Sequence, residues 1–462
     1  MSAGPRPTGP PAVRRPWSQT QRAVPRRVVR PIQEFMHMEV AGGVVLLGAS
    51  ILALLWANVA TGAYLDFWST EFTIQVGDFT FVEDLKHLVN DGLMAIFFLV
   101  IGLEVKRELV SGELSTRQAA LLPAFAALGG VVLPALIFIA VSGGGEAARG
   151  WGIPMATDVA FALAALAALG SRVPSALIAF LLGVAVIDDI VAILVVAVYY
   201  TDVVTLSWLA AALCGLVAIV ALQRLEVRYL GIYVVIGLFV WFATLESGVH
   251  ATIAGVAIGL LTPVRPFQHP GAVSVEATRA AEMAERSPDD PEVDAAVWRR
   301  LSWLSREAVS PLARVEHGLH PWSSFLVLPV FALANAGIVL DGASLRAAVE
   351  TPLALAVALG LIAGKMAGLT AGTALAVRLG LSTLPPGVRW MHIVGVGALA
   401  GIGFTVSLFI TELAYADPAV IDAAKIGVLG GSVIAAIIGL TILARAGRDG
   451  PAPEGPERGI HD

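Results

Sequence analysis

Cysteine is nearly missing from this sequence. Cys214 stands alone in an apolar run, which excludes an intramolecular disulfide and a cysteine-based zinc cluster and leaves no sign of a redox role. Charge is scarce too, at 14% of residues where about 25% is ordinary. Hydrophobic residues make up 57%, and the mean hydropathy is +0.79. That poverty of charge excludes a water-soluble domain and implies a polytopic membrane protein. The net charge of −6 says little about partners, because the side of the membrane on which each charge sits matters more than the sum. We expect no nucleic-acid partner and no cofactor; the surroundings are membrane lipid.

What the sequence has in plenty is long apolar runs, and one of them organises the rest. Residues 176–198, ALIAFLLGVAVIDDIVAILVVAV, are enough to cross a bilayer, and Asp188 and Asp189 are their only side chains that are not apolar. An ionised carboxylate in mid-helix costs roughly 2.5–3.5 kcal/mol, so the pair costs about 6 against many Leu, Ile, Val and Phe at about −0.3 to −0.6 each. The balance is close to zero. Such a segment holds two acids only if they are protonated, paired or facing a wet cavity, and all three point to proton or cation handling.

Further runs lie at about 40–56, 88–105, 118–141, 151–169, 207–222, 230–244, 249–261, 323–340, 353–377, 391–412 and 424–443, twelve in all. Counted in alternation, one set of connections carries Lys106, Arg107, Arg117, Arg172, Arg224, Arg228, Arg378, Arg389 and Arg445. The other carries mainly acids, among them Asp202, Asp341, Glu350, Glu412 and Asp417. The positive-inside rule therefore predicts twelve spans with both termini cytoplasmic. The expected divisions are a disordered basic tail over 1–37, membrane helices over 38–261 and 316–445, a cytoplasmic loop over 262–315 and a polar tail over 446–462. In that loop the first half looks disordered, and 293–312, with Trp298, Leu301, Trp303 and Leu304 among arginines, has the pattern of an amphipathic helix on the membrane surface. Within the first acidic loop, FTIQVGDFTF (72–81) alternates apolar and polar residues around Gly77-Asp78, the pattern of a two-residue β-hairpin or else an irregular loop. A hairpin there has free edges that can pair with a copy of itself.

Two other spans carry a central charge. Lys365 is the thirteenth of the twenty-five residues of 353–377, about 18 Å from either end and beyond the reach of a snorkelling side chain. It needs a carboxylate or a proton equilibrium. Asp158, with Thr157, follows a Pro–Met step that breaks the helix. It reads as the N-cap of the next segment, and an N-cap inside a membrane exists only where a helix is interrupted. In IVGVGALAGIGFTVSLFIT (393–411), Gly395, Gly397, Gly401 and Gly403 fit either a second interruption or close helix packing. If the fourth and eleventh spans correspond, they lie an odd number of crossings apart and run in opposite directions, as inverted repeats do. Nearer the inner surface lie Glu104 and Glu108 in GLEVKREL and Glu316, His317 and His320 in EHGLHPW. These are interfacial charges that orient helices or, with histidines beside carboxylates, a pH-responsive cluster. His250 is a capping or packing residue.

GLEVKREL (102–109), TDVAFAL (157–163), IDDI (187–190), SGVHAT (247–252), EHGLHPW (316–322), ANAG (334–337), GK (364–365) and GIGFTVSLF (401–409) together resemble the NhaA-type sodium/proton antiporters, over about 38–445. The resemblance implies an all-α integral membrane fold of about twelve transmembrane helices, with inverted repeats and two broken helices crossing at mid-membrane, plus a small external β-hairpin that mediates a homodimer. It implies that Asp188 and Asp189 bind the cation and protons, with Thr157 and Asp158 at the helix crossing. There Asp158 compensates the positive helix ends. Lys365 matches the family's lysine, which pairs with the carboxylate matching Asp188 or balances helix dipoles. Glu104, Glu108, Glu316, His317 and His320 match positions linked to pH sensing. The implied activity is electrogenic exchange of Na⁺ or Li⁺ for H⁺ across a bacterial inner membrane, by a transporter rather than an enzyme. The long inner loop and the basic N-terminal tail depart from the family's pattern.

The chemistry agrees with that expectation. Na⁺ and Li⁺ prefer hard oxygen ligands, and carboxylates withdrawn from water also hold protons more readily. Protons and a cation then compete for one site, and competition with alternating access is sufficient for exchange. An intramembrane enzyme fits less well: a prenyltransferase wants DDxxD where this chain has DDIVA, and a membrane aspartyl protease wants a Gly where Val186 stands. A channel or an organic-anion symporter needs no central lysine beside an acid pair. Adjacent helical residues point about 100° apart, so the two aspartates divide the work. Asp189 is the better candidate for the cation, and Asp188 for a pair with Lys365.

Overall fold

A helix satisfies its own backbone hydrogen bonds, so in lipid the long apolar runs have little choice but to be helical. The computed structural model bears this out and describes residues 41–77, 79–112, 114–201, 204–286, 291–340, 342, 346 and 351–447. The expected tail over 1–37 lies outside the described residues, as do nearly all of 446–462 and the loop acids Asp78, Asp202, Asp341 and Glu350. Among the described residues seven helices are long and apolar enough to cross a membrane: Ala41–Val59, Leu85–Val110, Arg117–Val141, Ser175–Tyr199, Leu206–Arg224, Pro352–Arg378 and Pro418–Ala446. Two further crossings come as bent pairs, Gly145–Met155 with Val159–Leu169 at 44° and Trp390–Leu399 with Phe404–Ala414 at 47°. That is nine by length and composition, where the apolar runs led us to expect twelve. The other three runs fold as the shorter helices Leu230–Glu246, Thr252–Leu261 and Leu328–Asn335.

The first span shows how one face meets lipid and the other a neighbour. On Ala41–Val59, Leu47, Ile51 and Leu55 are exposed while Ala53 and Ala57 are fully buried, as suits a helix with lipid on one face and a closely packed neighbour on the other. The helices pack in two groups. One gathers Arg117–Val141, both bent pairs, Ser175–Tyr199, Pro352–Arg378 and Pro418–Ala446. The other gathers Ala41–Val59, Leu85–Val110, Leu206–Arg224, Leu230–Glu246, Thr252–Leu261 and Leu328–Asn335. In the first group, Pro352–Arg378 approaches Arg117–Val141 closely enough that a Cβ on Gly368 would sit 2.1 Å from the Gly129 carbonyl oxygen. One on Gly372 would sit 2.0 Å from that of Phe125. This near backbone contact carries Lys365 into the interior.

Outside the helices, Glu71–Val76 (β1) pairs antiparallel with Phe79–Asp84 (β2), in the register Phe72↔Glu83, Ile74↔Phe81 and Gln75↔Thr80. Gly77 supplies the positive φ of +63° that the tight turn requires. The hairpin is therefore present and extends beyond 72–81 by one residue at its start and three at its end. One expectation fails. The first half of the inner loop is not irregular chain: Pro270–Arg286 is a helix and packs against a second, Pro291–Glu307. Ala280, Met283, Val297, Leu301 and Leu304 line a shared seam, so Leu301 and Leu304 of the second helix meet its neighbour while Trp298 and Trp303 stay exposed. Arg228 fastens the base of this pair, with its guanidinium 4.9 Å from the Phe267 ring and 5.8 Å from that of Trp303, and an ion pair to Glu307.

Candidate ion-exchange site

Two breaks make the centre of the first helix group. After Pro154 the chain leaves the helix at Ala156, and Asp158 starts the next one, its Oδ1 accepting from the Phe161 N–H at 3.2 Å. The second break follows Leu399 and ends at Phe404. The two breaks touch. The Asp158 N–H donates to the Ile402 carbonyl at 2.6 Å, and the Ser407 hydroxyl to that of Ile153 at 2.7 Å. Partner numbers fall along one chain as they rise along the other, so the segments run antiparallel where they cross. The glycines of the second run thus mark an interruption as well as close packing.

Asp158 serves both helices that start here. Its Oδ2 accepts from the Thr405 N–H at 3.1 Å and from the Thr405 hydroxyl at 2.5 Å. A single carboxylate at two helix N-termini meets two positive dipole ends with one negative charge. Thr405 went unnoticed in the sequence, where a threonine in an apolar run is commonplace; its place directly after the glycine cluster was the available signal.

The aspartate pair lies on Ser175–Tyr199 beside this crossing. Lys365 Nζ is 2.5 Å from Asp188 Oδ2, with the two residues 0% and 1% exposed. The Thr157 hydroxyl lies 2.9 Å from the same oxygen and 2.9 Å from the Ala400 carbonyl. It has one proton, so it donates to only one of them at a time. Asp188 Oδ1 is buried without a hydrogen-bond partner among the described residues. A π-helical turn, Gly360–Gly364, leads directly into Lys365, and such turns recur at functional sites. Asp189 points elsewhere: it is 8% exposed and has no hydrogen bond among the described residues. Asp188, Lys365, Thr157 and Asp158 are thus brought together, and Asp189 stands beside them on a more open face.

Further along the same helix lies a cavity of about 690 Å³ lined by Glu108, Ser111, Thr116, Ser175, Ile178 and Leu182. Leu182 and Asp189 are seven residues apart, so they share a helix face about 10 Å apart along the axis. The cavity opens at the end of the molecule that holds Lys106, Arg107, Arg117 and Arg172. At its rim, Arg107 forms an ion pair with the buried Glu316 and lies 3.2 Å from Glu108. Glu104, half-buried, stands one turn above Glu108 on the same helix. Here the expected cluster divides. Glu316 is buried, whereas His317 and His320 are exposed; His317 is turned about 100° away from it, and His320, one turn further on and on the same face, lies beyond the buried part of that face. Arg107, which we read only as loop charge, takes the place beside Glu316.

At the opposite end the chain is held by tyrosines. Tyr200 donates to the Arg149 carbonyl at 2.8 Å and Tyr415 to that of Ala147 at 2.6 Å, so both clamp Gly145–Met155. Burial pushes both hydroxyls above the ordinary tyrosine value and keeps them protonated donors. His250 Nε2 donates to the Tyr200 carbonyl at 2.8 Å, capping the end of Ser175–Tyr199.

The family model described as Na⁺/H⁺ antiporter 1 matches residues 33–443. This chain belongs to that Na⁺/H⁺ antiporter family. A Na(+)/H(+) antiporter NhaA 2 of Myxococcus xanthus (strain DK1622) is 44% identical over 431 residues, covering 92% of each chain. A Na(+)/H(+) antiporter NhaA of Janthinobacterium sp. (strain Marseille) is 43% identical and covers 90% of this chain and 92% of its own. A third, from Syntrophobacter fumaroxidans (strain DSM 10017 / MPOB), is 43% identical with 93% of each chain covered. The antiporter is therefore a multi-pass membrane protein whose transported ions are Na⁺ and H⁺.

Proposed function

We propose that Asp188 and Asp189 are the residues at which cation and protons compete, in an electrogenic, pH-regulated exchange of cytoplasmic Na⁺ or Li⁺ for external H⁺. The reading rests above all on the Asp188–Lys365 ion pair set beside Asp189, which has no such partner among the described residues. Asp189 takes the cation, with the Thr157 hydroxyl and the free Asp188 Oδ1 as further oxygen ligands. A cation arriving there is repelled by the Lys365 ammonium and attracted by Asp188, so loading favours separation of the pair and loss of protons from the site. Reorientation then offers the site to the other side, where protons displace Na⁺. Asp158 keeps the crossing neutral in both states. Two protons against one Na⁺ move one net charge per cycle.

In this reading the protein lies in a bacterial inner membrane with both termini cytoplasmic, because the cavity opens on the basic side. Glu104, Glu108 and Glu316, with Arg107, set the field along the entrance and make the rate depend on pH, with His317 and His320 acting from the surface. The β-hairpin joins two copies. The test is Na⁺- and Li⁺-induced pH change in proteoliposomes across external pH, for the native chain and for Asp189→Asn. We expect the variant to reach the membrane in normal amount and to move no protons in response to either cation; full exchange by the variant would sink the assignment.

A further inference from the structure

Twenty-two residues back from Glu108 along the same helix, about 33 Å away, an ion pair crosses the seam between the two helix groups. Lys86, on Leu85–Val110 of one group, places Nζ 2.9 Å from Glu412 Oε1 on Phe404–Ala414 of the other. Glu412 also holds Lys425 of Pro418–Ala446, which belongs to its own group, at 2.6 Å. One turn inward from Glu412, Phe409 seals the same seam, its ring 5.4 Å from Phe98 and 6.4 Å from Phe331 of the other group.

The three charges are not equivalent. Lys425 is 4% exposed and lies in the same helix group as Glu412, so the half-buried acid keeps a counter-charge whichever way the groups are placed. Lys86 is 31% exposed and sits at a helix end, so its ammonium can pass to water when it lets go. An acid with two cations, one permanent and one releasable, is suited to repeated breaking, because separation leaves no buried charge without a partner.

We propose that Lys86 and Glu412 form the gate of the face opposite the cavity, a latch that holds that face shut while the site is open at the Glu108 end. It adds gating residues to the exchange reaction and rests on the alternating-access reading given above. Opening toward the Lys86 side parts the groups along Glu412, Phe409 and Val406 and ends at Thr405 beside Asp158. Val406, 4% exposed, reports on that path.

The test uses the full chain with Cys214→Ser, since Cys214 is exposed, and Val406→Cys as reporter. A membrane-impermeant maleimide is added separately to each face of oriented vesicles. With Lys86 in place, Val406→Cys should label slowly from the Lys86 side. In Lys86→Gln the labelling rate should rise about two- to fivefold, the range an ion pair of this exposure is worth in a two-state population, and Lys86→Arg should restore the slow rate. The Na⁺ KM measured from the Lys86 side should fall in the same variant while that from the Glu108 side does not, a split that a general loss of structure does not produce. Equal labelling rates in the native and Lys86→Gln chains would overturn the latch. Labelling only from the Glu108 side in every variant would overturn the alternating-access reading and the latch with it.

Discussion

Lys365 and Asp188 form a fully buried ion pair, and what such a pair contributes depends on what replaces it. Removing one partner strands the other charge at a cost of about 3–5 kcal/mol, while replacing both by neutral groups is often close to neutral. Lys365→Met should therefore lower the melting temperature in detergent by several degrees, and adding Asp188→Asn should return most of the loss. Equal melting of Lys365→Met and the native chain would argue against a structural role for the pair. These residues were legible in the sequence because a charge in the middle of an apolar run is rare and must be accounted for. Thr405 was not, because its partner Asp158 is 247 residues away and threonine is unremarkable in a membrane helix. His317 and His320 lie next to Glu316 along the chain, but both are exposed where Glu316 is buried, and a sequence pattern does not show which turn of a face is covered.

At the scale of the element, the two broken helices depend on one another through Asp158. Asp158→Asn keeps an oxygen for the Phe161 N–H but turns an amide donor toward the Thr405 N–H, and it removes the charge that both helix ends favour. Exchanging a charge-assisted bond for a neutral one costs about 1–2 kcal/mol. The variant should accordingly exchange Na⁺ several-fold more slowly while still binding it, with a lowered melting temperature. Native rates in vesicles would show that the crossing needs no negative charge. The first break was readable from Pro154 and the Thr157-Asp158 cap, since both have fixed backbone consequences. The helices over Pro270–Arg286 and Pro291–Glu307 were half-read. Their low hydrophobicity resembles a linker, and only the pairing of Ala280 and Met283 with Leu301 and Leu304 explains why the first of them orders.

The whole molecule has one feature that its helices do not need. A two-stranded sheet is marginal by itself in water, yet β1 and β2 pair over six residues each and leave Phe72, Ile74 and Val82 between 44% and 47% exposed. Each strand also keeps one unpaired edge, and unpaired edges with exposed apolar side chains join to further strands. No other described element of the chain offers one; in the reading proposed above a second copy supplies it. The alternation in 72–81 made the hairpin legible, and its free edges allowed pairing with a second copy, although a free edge by itself names no occupant. Shortening the hairpin by removing residues 72–81 leaves every membrane span intact. In detergent the native chain should have the mass of a dimer by light scattering, and the shortened chain that of a monomer with exchange retained. A dimer that survives the deletion would place the contact between the lipid-facing surfaces of the helices, where Leu47, Ile51 and Leu55 are already exposed.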